Sequence, residues 1–176
     1  MSYYIAQIIA IFAFIVVLIS FWCRDRKKIL GVQIGSSILY SVQYLLLGGY
    51  SGLGVNILGI IKSVVFVNKK ENSKKFLIIF VIAYIIVGVL TWNSMISLFP
   101  IIGSLVYVIA SFHDNPQYIR IGAIIASVFW IIYNVSVMAY VGCVTESILM
   151  VSNILAVIRM REAHMRVTEH SKEEGK

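Results

Sequence analysis

The chain is a succession of apolar stretches, most of them nearly long enough to cross a lipid bilayer, with short polar segments between them. A helix needs roughly 20 apolar residues to cross the hydrocarbon core of a membrane. Seven stretches approach that length: residues 3–22, 29–47, 53–67, 76–91, 95–112, 119–140 and 143–159. The third and fourth are short, so a six-span alternative makes one of them re-entrant. The pattern predicts an all-α integral membrane protein with seven transmembrane helices.

The composition excludes the other broad classes of protein. Hydrophobic residues make up 60% and charged residues 13% of the 176 positions, and the mean hydropathy is +0.90. A soluble domain of this size cannot bury that much apolar surface. The formal net charge of +7 does not indicate nucleic acid, because the basic residues lie in short loops and a tail. The lipid bilayer is therefore the predicted partner.

Loop charges predict the orientation of the helices. Basic residues cluster at 24–28, at 69–75 and in the tail from Arg159, whereas the second, fourth and sixth loops carry no charge. Seven spans bring all three basic segments to one side of the membrane. Because Lys and Arg are enriched in cytoplasmic loops, we expect the N-terminus outside and the C-terminus inside.

Polar and small residues recur at a fixed offset of 90 positions along the chain. Ser37, Tyr40, Tyr44, Tyr50, Gly52, Asn56 and Ser63 correspond to Ser127, Trp130, Asn134, Tyr140, Gly142, Glu146 and Asn153. Such an offset indicates an internal repeat. We predict a 3+1+3 arrangement in which residues 1–67 and 93–160 form parallel three-helix repeats. Residues 76–91 form the linker helix that inverts the chain, and 161–176 form a cytoplasmic tail.

Seven of these side chains are the candidate substrate-binding residues: Tyr40, Asn56, Ser63, Trp130, Asn134, Glu146 and Asn153. Asn153 follows Glu146 by two helical turns, so both lie on one helix face, and Asn56 and Ser63 have the same spacing. Polar residues inside a membrane usually face a bundle interior or a cavity. We therefore predict a pocket on the pseudo-symmetry axis. The alternative is that the amides hold helices together and the aromatic rings only pack.

The role of Glu146 stays open at this point, as do those of two further residues, Lys62 and Pro100. Glu146 is a proton or cation site if it is buried in the membrane, and an ordinary wet carboxylate if it lies at the outer interface. Lys62 lies near the inner end of the third span, and its long stem favours snorkelling to the headgroups. Pro100 falls inside the fifth span, where it is expected to kink the helix.

Several motifs resemble one family. They are W-x-x-Y-N at 130–134, G-x-x-x-E at 142–146, S-N at 152–153 with I-R-M at 158–160, R-D-R-K-K at 24–28, L-L-L-G-G-Y at 45–50 and L-F-P-I-I-G-S at 98–104. In their order along the chain, these motifs resemble the bacterial inner-membrane proteins of the YgjV family, which are distantly similar to the SWEET, or MtN3/PQ-loop, sugar transporters. The resemblance implies a bacterial inner-membrane location, a 3+1+3 layout and a central site with an aromatic residue and asparagines. Asn153 matches one such asparagine, and Ser63 stands where its partner would be.

The favoured interpretation is a transporter of a small polar solute that works by alternating access, with a sugar-like solute as one option. The alternative is a non-transporting structural or assembly protein of the membrane, and an enzyme is the least favoured class. No phosphate loop, metal spacing or catalytic cluster is present in the sequence, so neither a cofactor nor a metal is predicted. Assembly into a homo-oligomer stays open.

Overall fold

The computed structural model describes residues 1–20, 26–68, 74–111, 113 and 115–173. Over these residues the chain forms seven α-helices and one short 3₁₀ helix, Met95–Ser97, and no strand. The α-helices are α1 Ser2–Ser20, α2 Arg26–Leu47, α3 Tyr50–Asn68, α4 Lys74–Leu90, α5 Leu98–Ser111, α6 Pro116–Ser136 and α7 Tyr140–Glu173. The prediction of an all-α protein is confirmed.

Some of the helices have the length and the apolar surface that a bilayer requires. Among the described residues, three helices are long and apolar enough to cross a membrane: Ser2–Ile19, Gln117–Ser136 and Tyr140–Met160. Tyr50–Val65 and Met95–Ser111 are shorter apolar helices. In α4, Ile78, Ile82 and Ile85 are more than half exposed, which is favourable only next to lipid or another apolar surface. Its opposite face buries Phe80, Tyr84 and Gly88, so α4 is more than a lipid-facing linker.

The helices pack as a closed ring in chain order. Each helix contacts the next one from α1 to α3 and from α5 to α7, α4 contacts both α3 and α5, and α1 contacts α7. The side-chain amide of Gln7 strengthens the closure: its Nε2 donates to the carbonyl oxygen of Met138 at 2.7 Å. One apolar cluster, which includes Val55, Tyr84 and Ile101, fills the contact between α3, α4 and α5.

Two turns on the same side of the ring have the same backbone conformation. Gly48 follows α2 with φ 72°, and Met138 follows α6 with φ 58°. The next residue in each turn donates its N–H to a carbonyl five residues back, Gly49 to Tyr44 at 2.8 Å and Ala139 to Asn134 at 2.8 Å. This is the left-handed cap that ends many helices. It lets α3 and α7 begin at Tyr50 and Tyr140, three residues before the predicted starts of 53 and 143.

Pro100 does not kink the fifth helix. The chain forms the 3₁₀ helix Met95–Ser97 first, and α5 begins at Leu98. Pro100 therefore lies in the first turn of α5, where a helix loses nothing from the missing N–H group. The kink expected at Pro100 was therefore wrong.

The left-handed conformation of Gly48 leads us to expect that a residue with a Cβ at this position destabilises the fold. A Cβ at Gly48 would meet no atom within 4 Å, so Gly48→Ala changes only the backbone energy and is expected to cost about 1 kcal/mol. Gly31 lies inside α2, also with nothing within 4 Å, and Gly31→Ala should leave stability unchanged or raise it. Thermal unfolding of both variants in detergent measures the difference. Equal stability of the two variants would contradict the left-handed conformation at residue 48.

Candidate functional site

A cavity of about 310 Å³ lies inside the ring, and we call it the central cavity. Helices α2 to α7 all contribute to its wall. Its polar lining includes Asn56 and Lys62 from α3, Ser104 and Tyr107 from α5, Ser127 from α6, and Glu146 and Asn153 from α7. This volume is near the lower end of the range for ligand pockets.

Glu146 is held in the wall by a neighbouring helix. The hydroxyl of Ser127 on α6 donates to Oε2 of the Glu146 carboxylate on α7 at 2.8 Å. Among residues whose side chains the structure describes, Glu146 is the only carboxylate. A carboxylate that lines a cavity inside an apolar bundle matches the buried alternative for this residue and not the wet interfacial one.

Asn56 and Asn153 direct their amide nitrogens to their own helices. Nδ2 of Asn56 donates to the carbonyl of Gly52 at 2.9 Å, and Nδ2 of Asn153 donates to the carbonyl of Leu149 at 2.9 Å. Within the described part of the chain, neither amide bonds to another helix. Each amide oxygen is therefore available to a group in the cavity. This arrangement differs from that of amides that join helices.

Lys62 lines the central cavity. Its ammonium group stands 5.0 Å from the centroid of the Tyr107 ring, a cation–π distance. The structure gives it no hydrogen bond and no ion pair with the described residues. Snorkelling to the headgroups, which its long stem favours, stays a prediction.

A layer of aromatic and amide side chains closes the ring between the central cavity and the turns at residues 48 and 138. We call Tyr44, Trp130, Tyr133 and Asn134 the aromatic layer. The Tyr44 hydroxyl donates to Oδ1 of Asn134 at 2.6 Å, and the Gly52 N–H donates to the Tyr133 hydroxyl at 3.0 Å. The Trp130 ring centroid lies 6.0 Å from the centroids of both tyrosine rings.

Two glycines allow the helices to approach this layer closely. A Cβ at Gly52 would lie 2.8 Å from Cε1 of Tyr133, and a Cβ at Gly142 would lie 2.9 Å from Nδ2 of Asn134. Both atoms belong to planar groups that the layer holds in place. Beside them is a smaller cavity of about 70 Å³. Tyr40 lines it and hydrogen-bonds to Thr145 at 2.8 Å; since Thr145 donates to Val141, Tyr40 is the donor.

The structure brings most of the predicted site residues together. Asn56, Trp130, Glu146 and Asn153 line the central cavity, and Tyr40 and Asn134 line the smaller one beside Trp130 and Glu146. Ser63 is buried at 4% exposure and lines neither.

Several residues around the two cavities were not among the predicted site residues. Lys62, Ser104, Tyr107 and Ser127 line the central cavity, and Tyr133 belongs to the aromatic layer. Ser127 carried a signal, because it is one of the residues at the repeated offset. Tyr133 belongs to the W-x-x-Y-N motif at 130–134, whereas Tyr107 had no signal, since an aromatic residue within an apolar run usually packs against its neighbours.

No metal site is visible in the described residues, which contain no group of three or more His, Cys, Asp or Glu side chains that could hold an ion.

The model of the YgjV family, described as bacterial inner membrane protein, matches residues 4–164. The chain is 24% identical over 158 residues to inner membrane protein YgjV of Escherichia coli strain K12, covering 90% of this chain and 85% of that protein. No solved structure matches the chain.

Removal of the hydrogen bond between Tyr44 and Asn134 is expected to lower the stability of the protein. Interhelical hydrogen bonds in membranes contribute from about 0.6 to 2 kcal/mol, so Tyr44→Phe should lower the free energy of unfolding by about 1 kcal/mol. Tyr118 is 53% exposed, and Tyr118→Phe is the matched control with no expected effect. Thermal unfolding in one detergent compares the two. A Tyr44→Phe variant as stable as the control would show that the bond contributes nothing.

Proposed function

The chain belongs to the YgjV family of bacterial inner membrane proteins, and from that premise we propose that it is a transporter of a small polar solute. The solute binds in the central cavity and crosses the membrane by alternating access. The protein resides in the bacterial inner membrane. The proposal includes no enzymatic activity and no cofactor.

The central cavity is the observation that carries this proposal. Polar side chains inside a membrane bundle are costly unless they bind one another or a ligand. Asn56 and Asn153 each keep an oxygen available, and Lys62 lies there without a hydrogen-bond partner among the described residues. Trp130 adds an apolar platform at one end of the same wall. A few polar groups on a mostly apolar wall are typical of sites for small molecules.

The matching turns support the 3+1+3 repeat as part of the proposal. Gly48 and Met138 are separated by the offset of 90 residues and have the same unusual φ. The hydrogen bonds of the two turns also correspond, Leu53 to Gly49 at 3.0 Å and Cys143 to Ala139 at 3.1 Å. Two equivalent three-helix units around one cavity are a common transporter design. With basic loops on the cytoplasmic side, the two turns and the aromatic layer lie toward the outside.

The aromatic layer then forms the closed outer side of the transport path. The Tyr44–Asn134 bond joins residues of the two proposed repeats, and opening of the path requires this bond to break. The same bond also favours the alternative function, a non-transporting scaffold, because there an asparagine does hold helices together. Under that alternative, Asn153 would serve stability in the same way as Asn134.

Substitutions in the wall of the central cavity test the proposed transport function. We expect Asn153→Ala to reduce solute uptake by proteoliposomes about three- to tenfold, because it removes a hydrogen-bonding group worth about 0.5–1.5 kcal/mol. Ser152→Ala, at the preceding position of α7, is the matched control and should transport normally. Uptake of a broad set of radiolabelled bacterial metabolites identifies the solute, and thermal unfolding of the same preparations measures stability. Lower stability of Asn153→Ala with unchanged uptake would favour the scaffold.

Filling the cavity provides a second test. A Cβ at Gly59 would meet no atom closer than Oγ of Ser37 at 3.9 Å, and Gly59 lines the central cavity. Gly59→Ala should therefore fold and transport, whereas Gly59→Leu should fold and lose uptake because its side chain occupies the space for the solute. Full uptake by a folded Gly59→Leu protein would exclude the central cavity as the transport site.

The orientation has its own test. In a chain without native cysteines, cysteine at Tyr50 or Asn93 should react with an impermeant thiol reagent from outside the cell. Cysteine at Lys74, which begins α4, should react only from the cytoplasmic side. Labelling of residue 74 from outside would contradict both the orientation and the parallel repeat.

A further inference from the structure

Two opposite charges occur in the wall of the central cavity without pairing to each other. Lys62 and Glu146 both line it, yet no ion pair within 4.0 Å joins them in the structure. The nearest described partner of Lys62 is the Tyr107 ring, and the hydrogen-bond partner of Glu146 is the neutral hydroxyl of Ser127. Neither contact neutralises a charge.

The two charges lie at different levels of the cavity. Glu146 is the sixth residue after Tyr140, where α7 begins, and Lys62 is the twelfth after Tyr50, where α3 begins. Because the two helices start from equivalent turns, Lys62 is six residues, or about 9 Å, farther along the bundle. The lining residues Asn56 and Asn153 lie near the levels of Glu146 and Lys62, respectively. The wall therefore has an acidic end and a basic end, each with an amide.

We propose that the solute of the central cavity is a zwitterion whose carboxylate pairs with Lys62 and whose ammonium group pairs with Glu146. This inference rests on the proposed function and names its substrate class. The solute must carry its two charges apart, as an ω-amino acid does, to reach both levels at once. Removing two charges from water is favourable only when each gains an opposite charge and hydrogen bonds, and Asn56 and Asn153 supply amide oxygens beside them.

A neutral sugar fits this wall poorly. It would leave the ammonium of Lys62 and the carboxylate of Glu146 away from water without opposite charges, which is costly. A solute with one charge would satisfy one end of the cavity and leave the other unpaired. The Trp130 and Tyr107 rings also line the central cavity, and such apolar surfaces suit the methylene chain that separates the charges of an ω-amino acid.

The binding test uses the full chain purified in detergent and titrated by calorimetry. The probes are γ-aminobutyrate and ε-aminocaproate, with butyrate, butylamine and glucose as analogues that lack one or both charges. We expect at least one zwitterion to bind, and each analogue to bind at least about tenfold more weakly because one charge-assisted contact is missing. Glucose or a singly charged analogue that binds as tightly as the zwitterions would overturn the inference.

Variants of Lys62 connect the affinity to the residue. Lys62→Gln should weaken zwitterion binding by about tenfold or more, whereas Lys62→Arg keeps the positive charge and should keep most of the affinity. Lys75→Gln removes the same charge from an exposed position of α4 and should change nothing. Equal affinity of Lys62→Gln and the wild type would overturn the inference, and the probe comparison on the wild type decides it if the variant does not fold.

The failure of this inference differs from the failure of the proposed function. If the probes do not bind but proteoliposomes take up another metabolite through the central cavity, the zwitterion is wrong and the transporter stands. If no metabolite is taken up and no probe binds, the transporter itself is wrong and the inference falls with it.

Discussion

The hydrocarbon core of a membrane contains no water, so every polar group there must find its partner within the protein or in a ligand. The helices meet this demand for the backbone. Two groups of polar side chains differ in how they meet it; outside both groups, the buried amide of Gln43 has no hydrogen-bond partner among the described residues. In the aromatic layer the partners come from opposite parts of the ring, with Tyr44 bound to Asn134 and Tyr133 bound to the backbone of Gly52. In the central cavity the partners are incomplete, and that difference separates a structural layer from a candidate binding site.

The three asparagines illustrate this division. Asn134 is 1% exposed and accepts a hydrogen bond from another helix, so it holds the bundle together. Asn56 and Asn153 are half-buried and bond only to their own helices among the described residues. Amides that bond across helices and amides that bond only within their own helix beside a cavity therefore occur at different residues. Stability depends mainly on the first kind of amide, and the proposed solute binding depends on the second.

Much of the fold followed from the sequence because apolar length determines where membrane helices form. The starts of α3 and α7 were predicted three residues too late, because Tyr50, Gly52 and Tyr140 are not strongly apolar. In the structure each of these helices begins two residues after the left-handed cap of the preceding helix. Four of the seven predicted site residues share the central cavity because helical spacing fixes which side chains lie on one face. The position of Lys62 did not follow, since its direction depends on the Tyr107 ring of another helix. The burial of Ser63 away from both cavities depends on packing in the same way.

The central claim is that the bundle encloses a polar cavity open to small solutes, and water access tests it most directly. Single cysteines at Gly59, in the cavity wall, and at Ile82, 51% exposed on the apolar surface of α4, are placed in a chain without native cysteines. Permeabilised membrane vesicles are treated with a small charged thiol reagent, which reacts in water and not in lipid. The account predicts that the cysteine at position 59 reacts and the one at position 82 does not. Equal lack of reaction at both positions would contradict it, because the interior of the bundle would then be dry and closed.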